Sequence, residues 1–237
     1  MKHLALYLCA PMQSWGATSK FGDRSTLDAP TRSGLLGMLA AACGVDKNDA
    51  TAVHAWLTKA AALSLDVYAF RRGDRLTDYH TVGARYERDN PWRRRMIPTT
   101  ADGKPRGTDI THRDYLTDSV FGAVLSGDDT FLEEIATKLS NPVWGVWFGR
   151  KCCIPTEPVL TGRYDSRNEA KAALEARLHA TLERTGRETT GNAPIFAVIE
   201  ASADDADETL LDVPVSFARR EFHARRIRRD IQGQEET

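Results

Sequence analysis

ARYERDNPWRRRMIPTTADGKPRGTDITHR, residues 84–113, breaks the chain in two. It has neither the period of a strand nor that of a helix, and Pro91, Pro98 and Pro105 interrupt it. A patternless stretch of this length inside a compact domain is an insertion, functional or disordered, and not a core element. The regular elements therefore lie on either side of it, and the fold is read outward in both directions.

Upstream, His3 to Cys9 alternates, with Leu4, Leu6 and Leu8 on one face, and reads as a strand. Pro11 ends it, and a long polar loop runs to Pro30. A helix follows, capped by Ser33, with Leu35, Leu39 and Cys43 on one face and Gly44 at its end. Residues 49–61 form a second helix, Leu63 to Phe70 a second strand, and Leu76 to Val82 pairs back on it through the turn at 71–74. Downstream of the insertion, Tyr115 to Leu125 reads as a strand. Asp128 or Asp129 then caps a helix carrying Phe131, Ile135 and Leu139, and Val143 to Phe148 is the next strand. The order β-α-(α)-β-insert-β-α-β is the ferredoxin-like plan that RNA-recognition domains share.

Beyond residue 152 the pattern changes. Pro155 and Pro158 mark a boundary, and Ser166 to Glu169 is a capping box before a helix with Leu174, Leu178 and Leu182, ended by Gly186. Strands follow at 195–200 and 210–217, around an acidic loop, and the tail RREFHARRIRRD (219–230) is strongly basic. A strand face in solvent, a subunit contact and an RNA contact all suit that tail.

Composition narrows the function. The 237 residues are 41% hydrophobic, enough for a real core, and the net charge of −1 puts any nucleic-acid case on local patches. Cys9, Cys43, Cys152 and Cys153 have no zinc spacing and read as reduced thiols. The apolar start MKHLALYLCAP is too short for a signal peptide and no cleavage site follows, so a cytoplasmic chain with no membrane anchor is expected. No motif calls for a metal or a cofactor.

Two basic constellations stand out. In APTRSGLLGML (29–39), Thr31, Arg32 and Ser33 gather two hydroxyls and a guanidinium at a helix N-terminus, where unpaired N–H groups and the helix dipole attract anions. The same pattern suits a plain structural cap. Gly34 and Gly37 let another backbone approach closely. The insertion itself interleaves Arg85, Arg88, Arg93, Arg94, Arg95, Lys104, Arg106 and Arg113 with Tyr86 and Trp92, which suits a surface that tracks a backbone and stacks bases. GlyArgLys (149–151) leaves a strand but lacks the rest of a phosphate-binding loop. Tyr79, His80, His112 and Tyr115 are the groups from which a metal-independent endoribonuclease site would be built.

Six islands resemble one family. ProMetGlnSerTrpGly (11–16), ProThrArgSerGlyLeuLeuGly (30–37), HisThrValGlyAlaArg (80–85), ArgAspTyrLeu (113–116), PheGlyArgLysCysCys (148–153) and PheAlaArgArgGluPhe (217–222) are similar, in order, to the CasD family of type I-E CRISPR Cascade subunits. The resemblance implies an α+β protein: an RRM-like domain over 1–152, with a thumb-like β-hairpin inserted at about 84–113, and a small β-rich C-terminal domain over 153–237. It implies a non-catalytic subunit that holds the 5′ handle of crRNA and caps the backbone filament. The partners would be crRNA, the CasC backbone subunit, the large CasA subunit and, through the assembled complex, target DNA. The residues it points to for RNA are Gln13, Trp15, Arg24, Thr31, Arg32, Ser33, Arg85, Arg113, Tyr115, Arg150 and Lys151.

Overall fold

The computed structural model describes residues 1–16, 19–20, 22–82, 109–186 and 193–231. Arg85 and the expected insertion up to residue 108 lie outside the described residues.

Strand β1 (Lys2–Cys9) forms where the alternation places it, but it has no solvent face. Leu4, Leu6 and Leu8 on one side and Ala5 and Tyr7 on the other are all buried. The chain then makes two-residue strands β2 (Met12–Gln13), β3 (Ser19–Lys20) and β4 (Asp23–Arg24) before helices α1 (Arg32–Cys43) and α2 (Ala50–Ala61). Next come β5 (Ser64–Arg71), β6 (Asp74–Val82), β7 (Asp109–Thr117), β8 (Val120–Gly127) and α3 (Asp129–Ser140). The C-terminal elements are β9 (Leu160–Tyr164), α4 (Arg167–Thr185), β10 (Phe196–Glu200), β11 (Glu208–Ser216) and β12 (Glu221–Ile231).

The protein is α+β with two sheets. The larger runs β11-β12-β10-β5-β8-β1-β9, with every neighbouring pair antiparallel. Two β-α-β units interleave in it: β8 lies between β1 and β5, and β1 lies between β8 and β9. Leu4, Leu6, Leu65, Val67, Phe121 and Ala123 pack one face against Leu35, Leu39, Trp56, Leu57, Phe131 and Ile135 of α1, α2 and α3. The opposite face, Ala5, Tyr7, Tyr68, Phe70 and Val124, is covered by Ala170, Leu174 and Leu178 of α4. Helix α4 owes its sharp start to the expected capping box, in which Glu169 N–H donates to Ser166 Oγ, and its end to Gly186 at φ 62°. Strands from both sides of residue 153 share this sheet.

Several sequence expectations change here. The cap of α1 is Thr31, whose hydroxyl accepts from Gly34 N at 3.2 Å, and not Ser33. Strand β6 pairs with β7 and not with β5, because the chain leaves the large sheet at the 72–73 turn. The single strand expected over 115–125 is two strands: Asp118, at φ 56°, turns the chain from the second sheet into the first. Residues 143–148 are not a strand. Val143 N donates to Ala42 O at 3.0 Å, a carbonyl that the end of α1 leaves open, and Trp144 N adds a second donor at 3.3 Å to Ala41 O, which already accepts from Gly44 N. The place beside β1 goes to β9. The basic tail is β12, a central partner of β10 and β11.

In the second sheet β7 is central. β6 lies along one edge, β2 and β4 along the other, and β3 adds to β4. Among the described residues no helix is long and apolar enough to cross a membrane.

Candidate nucleic-acid interface

The sequence-predicted residues form two groups. Gln13, Trp15, Thr31, Arg32 and Ser33 come together inside the protein. Gln13 is fully buried and fully used: its Nε2 donates to Leu8 O at 3.0 Å and Ser119 O at 2.9 Å, and its Oε1 accepts from Trp15 Nε1 at 3.0 Å. The Trp15 ring has no exposed face. It packs on Phe148 at 5.9 Å between ring centres and lies so close to Gly34 that a Cβ there would sit 2.9 Å from it. Neither side chain presents a surface on which a base can stack, which corrects the RNA-contacting role that the resemblance implied for them.

Arg32 is corrected for the same reason. It is 3% exposed, and its guanidinium donates to Ala60 O at 3.1 Å, Leu63 O at 2.6 Å and the Glu200 carboxylate. Its backbone N–H donates to Asp212 Oδ2 at 2.7 Å. The Asp212 carboxylate also accepts from Arg225 Nε at 2.7 Å and Nη2 at 3.1 Å. The helix start does hold an anion, as its N–H groups and dipole favour, but the anion is the protein's own carboxylate, delivered by β11. Thr31 is spent as the cap, with Ser33 Oγ at 3.4 Å from its hydroxyl.

The second group lies on the small sheet. Arg24 and Arg113 are register neighbours in the parallel pair β4–β7. Arg150 reaches across both strands: Nη2 donates to Arg24 O at 2.7 Å, Nη1 to Asp114 O at 3.1 Å, and the guanidinium stacks on the Tyr115 ring at 4.5 Å. Gly149 permits this approach. Its φ is 92°, and a Cβ there would overlap Ser14 O. Lys151 is exposed, its ammonium 5.8 Å from the Trp147 ring centre. Burial raises the Tyr115 hydroxyl above its ordinary pKa, helped by the neighbouring Cys152, and burial pushes the Cys153 thiol up to about 11. Arg24, Arg113, Tyr115, Arg150 and Lys151 therefore form one cluster, of which Lys151 is the fully open cation and Tyr115 is largely buried.

The β6–β7 ribbon extends this surface towards residues 83 and 108. Its register pairs Tyr79 with His112, Thr77 with Asp114 and Asp78 with Arg113. Tyr79 is 60% exposed and meets the His112 ring edge-on at 5.6 Å, while Thr77 Oγ1 and Arg75 Nη1 donate to the Asp114 carboxylate at 2.7 and 3.1 Å. Because side chains alternate along a strand, Tyr79 and His112 occupy one face and His80, Arg113 and Tyr115 the other. The four candidate endoribonuclease groups are thus divided between two faces. Arg75 and the exposed position of Tyr79 on this ribbon were missed from sequence. The alternation of β6 was visible, but its partner strand lies across the insertion. Among the described residues no cluster of three His, Cys, Asp or Glu side chains is placed to hold a metal ion.

Comparison with known proteins gives the class. Residues 3–230 match the family described as CRISPR-associated protein (Cas_Cas5), and the chain belongs to that family. It is 29% identical over 231 residues to the CRISPR system Cascade subunit CasD of Escherichia coli (strain K12), covering 93% of this chain and 94% of that protein. A chain of a solved CRISPR RNA-guided surveillance complex superposes with a TM-score of 0.70 at 30% identity, covering 97% of this chain and 89% of that one. A solved crystal structure of a Cas protein superposes with a TM-score of 0.65 at 26% identity, covering 97% and 94%.

Proposed function

We propose that this protein is a non-catalytic, RNA-binding subunit of a type I-E Cascade complex. In this reading it holds the 5′ handle of crRNA and caps the backbone filament beside CasC, with CasA docked nearby and target DNA engaged through the whole complex in the cytoplasm. Similarity to CasD along nearly the full length of both chains carries the reading. The interleaved sheet is the RRM-like body, and the ribbon β6–β7 is the base of the thumb-like hairpin. Residues 1–152 supply the RNA surface, and 153–237 the smaller β-rich part that braces it. The β5-β8-β1 part of the large sheet offers RNA no open face, since α4 covers one side and α1, α2 and α3 the other. The RNA path therefore follows the small sheet, over Arg24, Arg113 and Lys151, with Arg150 and Tyr115 holding the strands in place and Arg85 continuing the path. The division of Tyr79, His80, His112 and Tyr115 between two faces supports a holding role over a cutting one.

Reconstitution with the other Cascade proteins and crRNA, followed by crosslinking and peptide mapping, tests this. Handle nucleotides should crosslink to peptides of β6–β7 and 148–153. Cleavage of repeat RNA by the isolated chain in EDTA, abolished by His80→Ala or His112→Ala, would overturn it.

A further inference from the structure

A groove of about 480 Å³ lies between α1 and the turn of the hairpin β11–β12, apart in sequence from the β6–β7 ribbon. Its floor is Gly37, Ala40 and Ala41 of α1, and its walls are Trp144 and Phe217. The walls are built in. Trp144 is strapped to Ala41 O through its backbone, and the Phe217 ring packs on Trp56 at 6.5 Å. Even so, Trp144 is 44% exposed and its neighbour Val143 53%. The two glycines of α1 differ here. At Gly34 a Cβ would press on Trp15, whereas at Gly37 a Cβ meets nothing within 4 Å among the described residues. Packing inside this chain therefore explains Gly34 and leaves Gly37 unexplained.

The rim is charged. After Phe217 the hairpin turns through Arg219 and Arg220, and Arg220 sits at φ 53°, a conformation that glycine or asparagine adopts more readily. Arg219 lies 3.6 Å from Glu221, and Asp46 Oδ1 accepts from Asn48 N and Nδ2. Glu221 and Asp46 thus have local partners. Arg220 and Lys47 have no ionic partner among the described residues.

We infer that this groove receives a segment of another protein subunit, which places an apolar side chain between Trp144 and Phe217 and carboxylates against Arg220 and Lys47. The inference rests on the reading of the chain as a member of an assembly. The floor of methyl groups and glycine offers a nucleic acid no donors, and only the rim is cationic. That combination suits a protein segment with an apolar anchor and an acidic flank, the usual composition of a contact whose core is dry and whose edge is charged.

Gly37→Leu tests the inference, because the new side chain fills the groove while leucine suits a helix better than glycine. The melting temperature of the isolated variant should equal or exceed that of the parent. In complexes reconstituted from the remaining Cascade proteins and crRNA, retention of one neighbouring protein subunit should weaken at least tenfold, while crRNA crosslinks to this chain persist. Lys47→Glu with Arg220→Glu should weaken the same contact, and Arg220→Lys should preserve it. A Gly37→Leu variant that assembles like the parent would overturn the inference, as would one that loses crRNA in place of a protein subunit. So would a parent chain that dimerises through this face and becomes monomeric on substitution. If the parent chain joins no complex at all, the Cascade reading fails and this inference falls with it.

Discussion

Two regions with the same sequence chemistry end in opposite environments. The α1 start combines Arg32 with hydroxyls and lies against Trp15; the 148–153 segment combines Arg150 and Lys151 with Tyr115. In the first, the guanidinium meets Glu200 and the carbonyls of Ala60, Ala61 and Leu63 at and just past the end of α2, and Asp212 occupies the helix N-terminus. In the second, Arg150 spends part of its charge on backbone oxygens while Lys151 stays in water. What separates them is the supply of carboxylates from distant segments. Strands β10 and β11 bring anions to Arg32 and Arg225, 168 residues from Arg32 in the case of Glu200. An arginine beside a helix cap is therefore a phosphate ligand only if the fold has not already matched it.

Removing Arg32 should break that comparison most severely. Arg32→Ala unpairs the carbonyls of Ala60, Ala61 and Leu63 and takes the nearer partner from Glu200, which keeps Arg225 Nη1 at 3.7 Å and is a quarter exposed. Breaking a buried ion pair costs about 3–5 kcal/mol, and this one should fall at the low end of that range. Urea unfolding should show the loss as a lower midpoint. An unchanged midpoint with weakened RNA binding would restore the phosphate role. Trp15→Ala should cost a similar amount, about 3–5 kcal/mol, by opening a cavity against Phe148 and unpairing Gln13. Its effect on RNA should follow from misfolding and not from lost stacking.

Much of the backbone was legible before the fold was seen, and the reasons are local. β1, α1, α2, β5, α3 and α4 each carry their own period and, in the helices, their own caps at Asp49, Asp128 and Ser166. The failures are non-local. The corner at Asp118 has no glycine or proline to mark it, so two strands read as one. The run at 143–148 has strand-like residues, but the N–H groups of Val143 and Trp144 go to Ala42 O and Ala41 O at the end of α1. The basic tail hid a central strand because Arg225 and Arg229 point inward to Asp212 and to Asp28, acids that no window around residue 225 contains. The same blindness moved Gln13, Trp15 and Arg32 into the expected site: their types were read correctly and their partners were not visible.

Asp66 sharpens the comparison with a buried charge that is poorly matched. It is 1% exposed on β5, with Arg167 Nε at 2.9 Å, and burial, partly offset by that arginine, raises its pKa from 3.8 to about 6. Between those values the native state binds more protons than the unfolded chain. Stability should therefore fall as pH rises from about 4 to about 6 and level off above that, by at most about 3 kcal/mol. Asp66→Asn should flatten this part of the profile, leaving the half-exposed Arg167 to water. Denaturant midpoints of the parent and the variant at pH 4.5 and 7 measure it. A parent whose midpoint rises across that interval while Asp66→Asn leaves the rise unchanged would show that other groups control the slope.

The open side of the comparison should give the smallest change in stability. Lys151→Ala removes an exposed ammonium, and surface substitutions of this kind stay within about 0.5 kcal/mol. If Lys151 meets a phosphate, log K against log salt for a single strand should become shallower by about 0.7, and unrelated RNAs should weaken alike. Arg113 carries the same expectation, moderated by its contact with Thr111 Oγ1 at 3.1 Å. Arg150 should behave differently from both. Its bonds to Arg24 O and Asp114 O tie β4 to β7, so Arg150→Ala should lower stability as well as RNA affinity, by about 1.5–3 kcal/mol for hydrogen bonds made by a charged donor. Salt titrations paired with melting curves on the three variants separate these roles. A Lys151→Ala protein that keeps the full salt slope would take the surface beside Trp147 out of the RNA path and leave β4 and β7 to carry it.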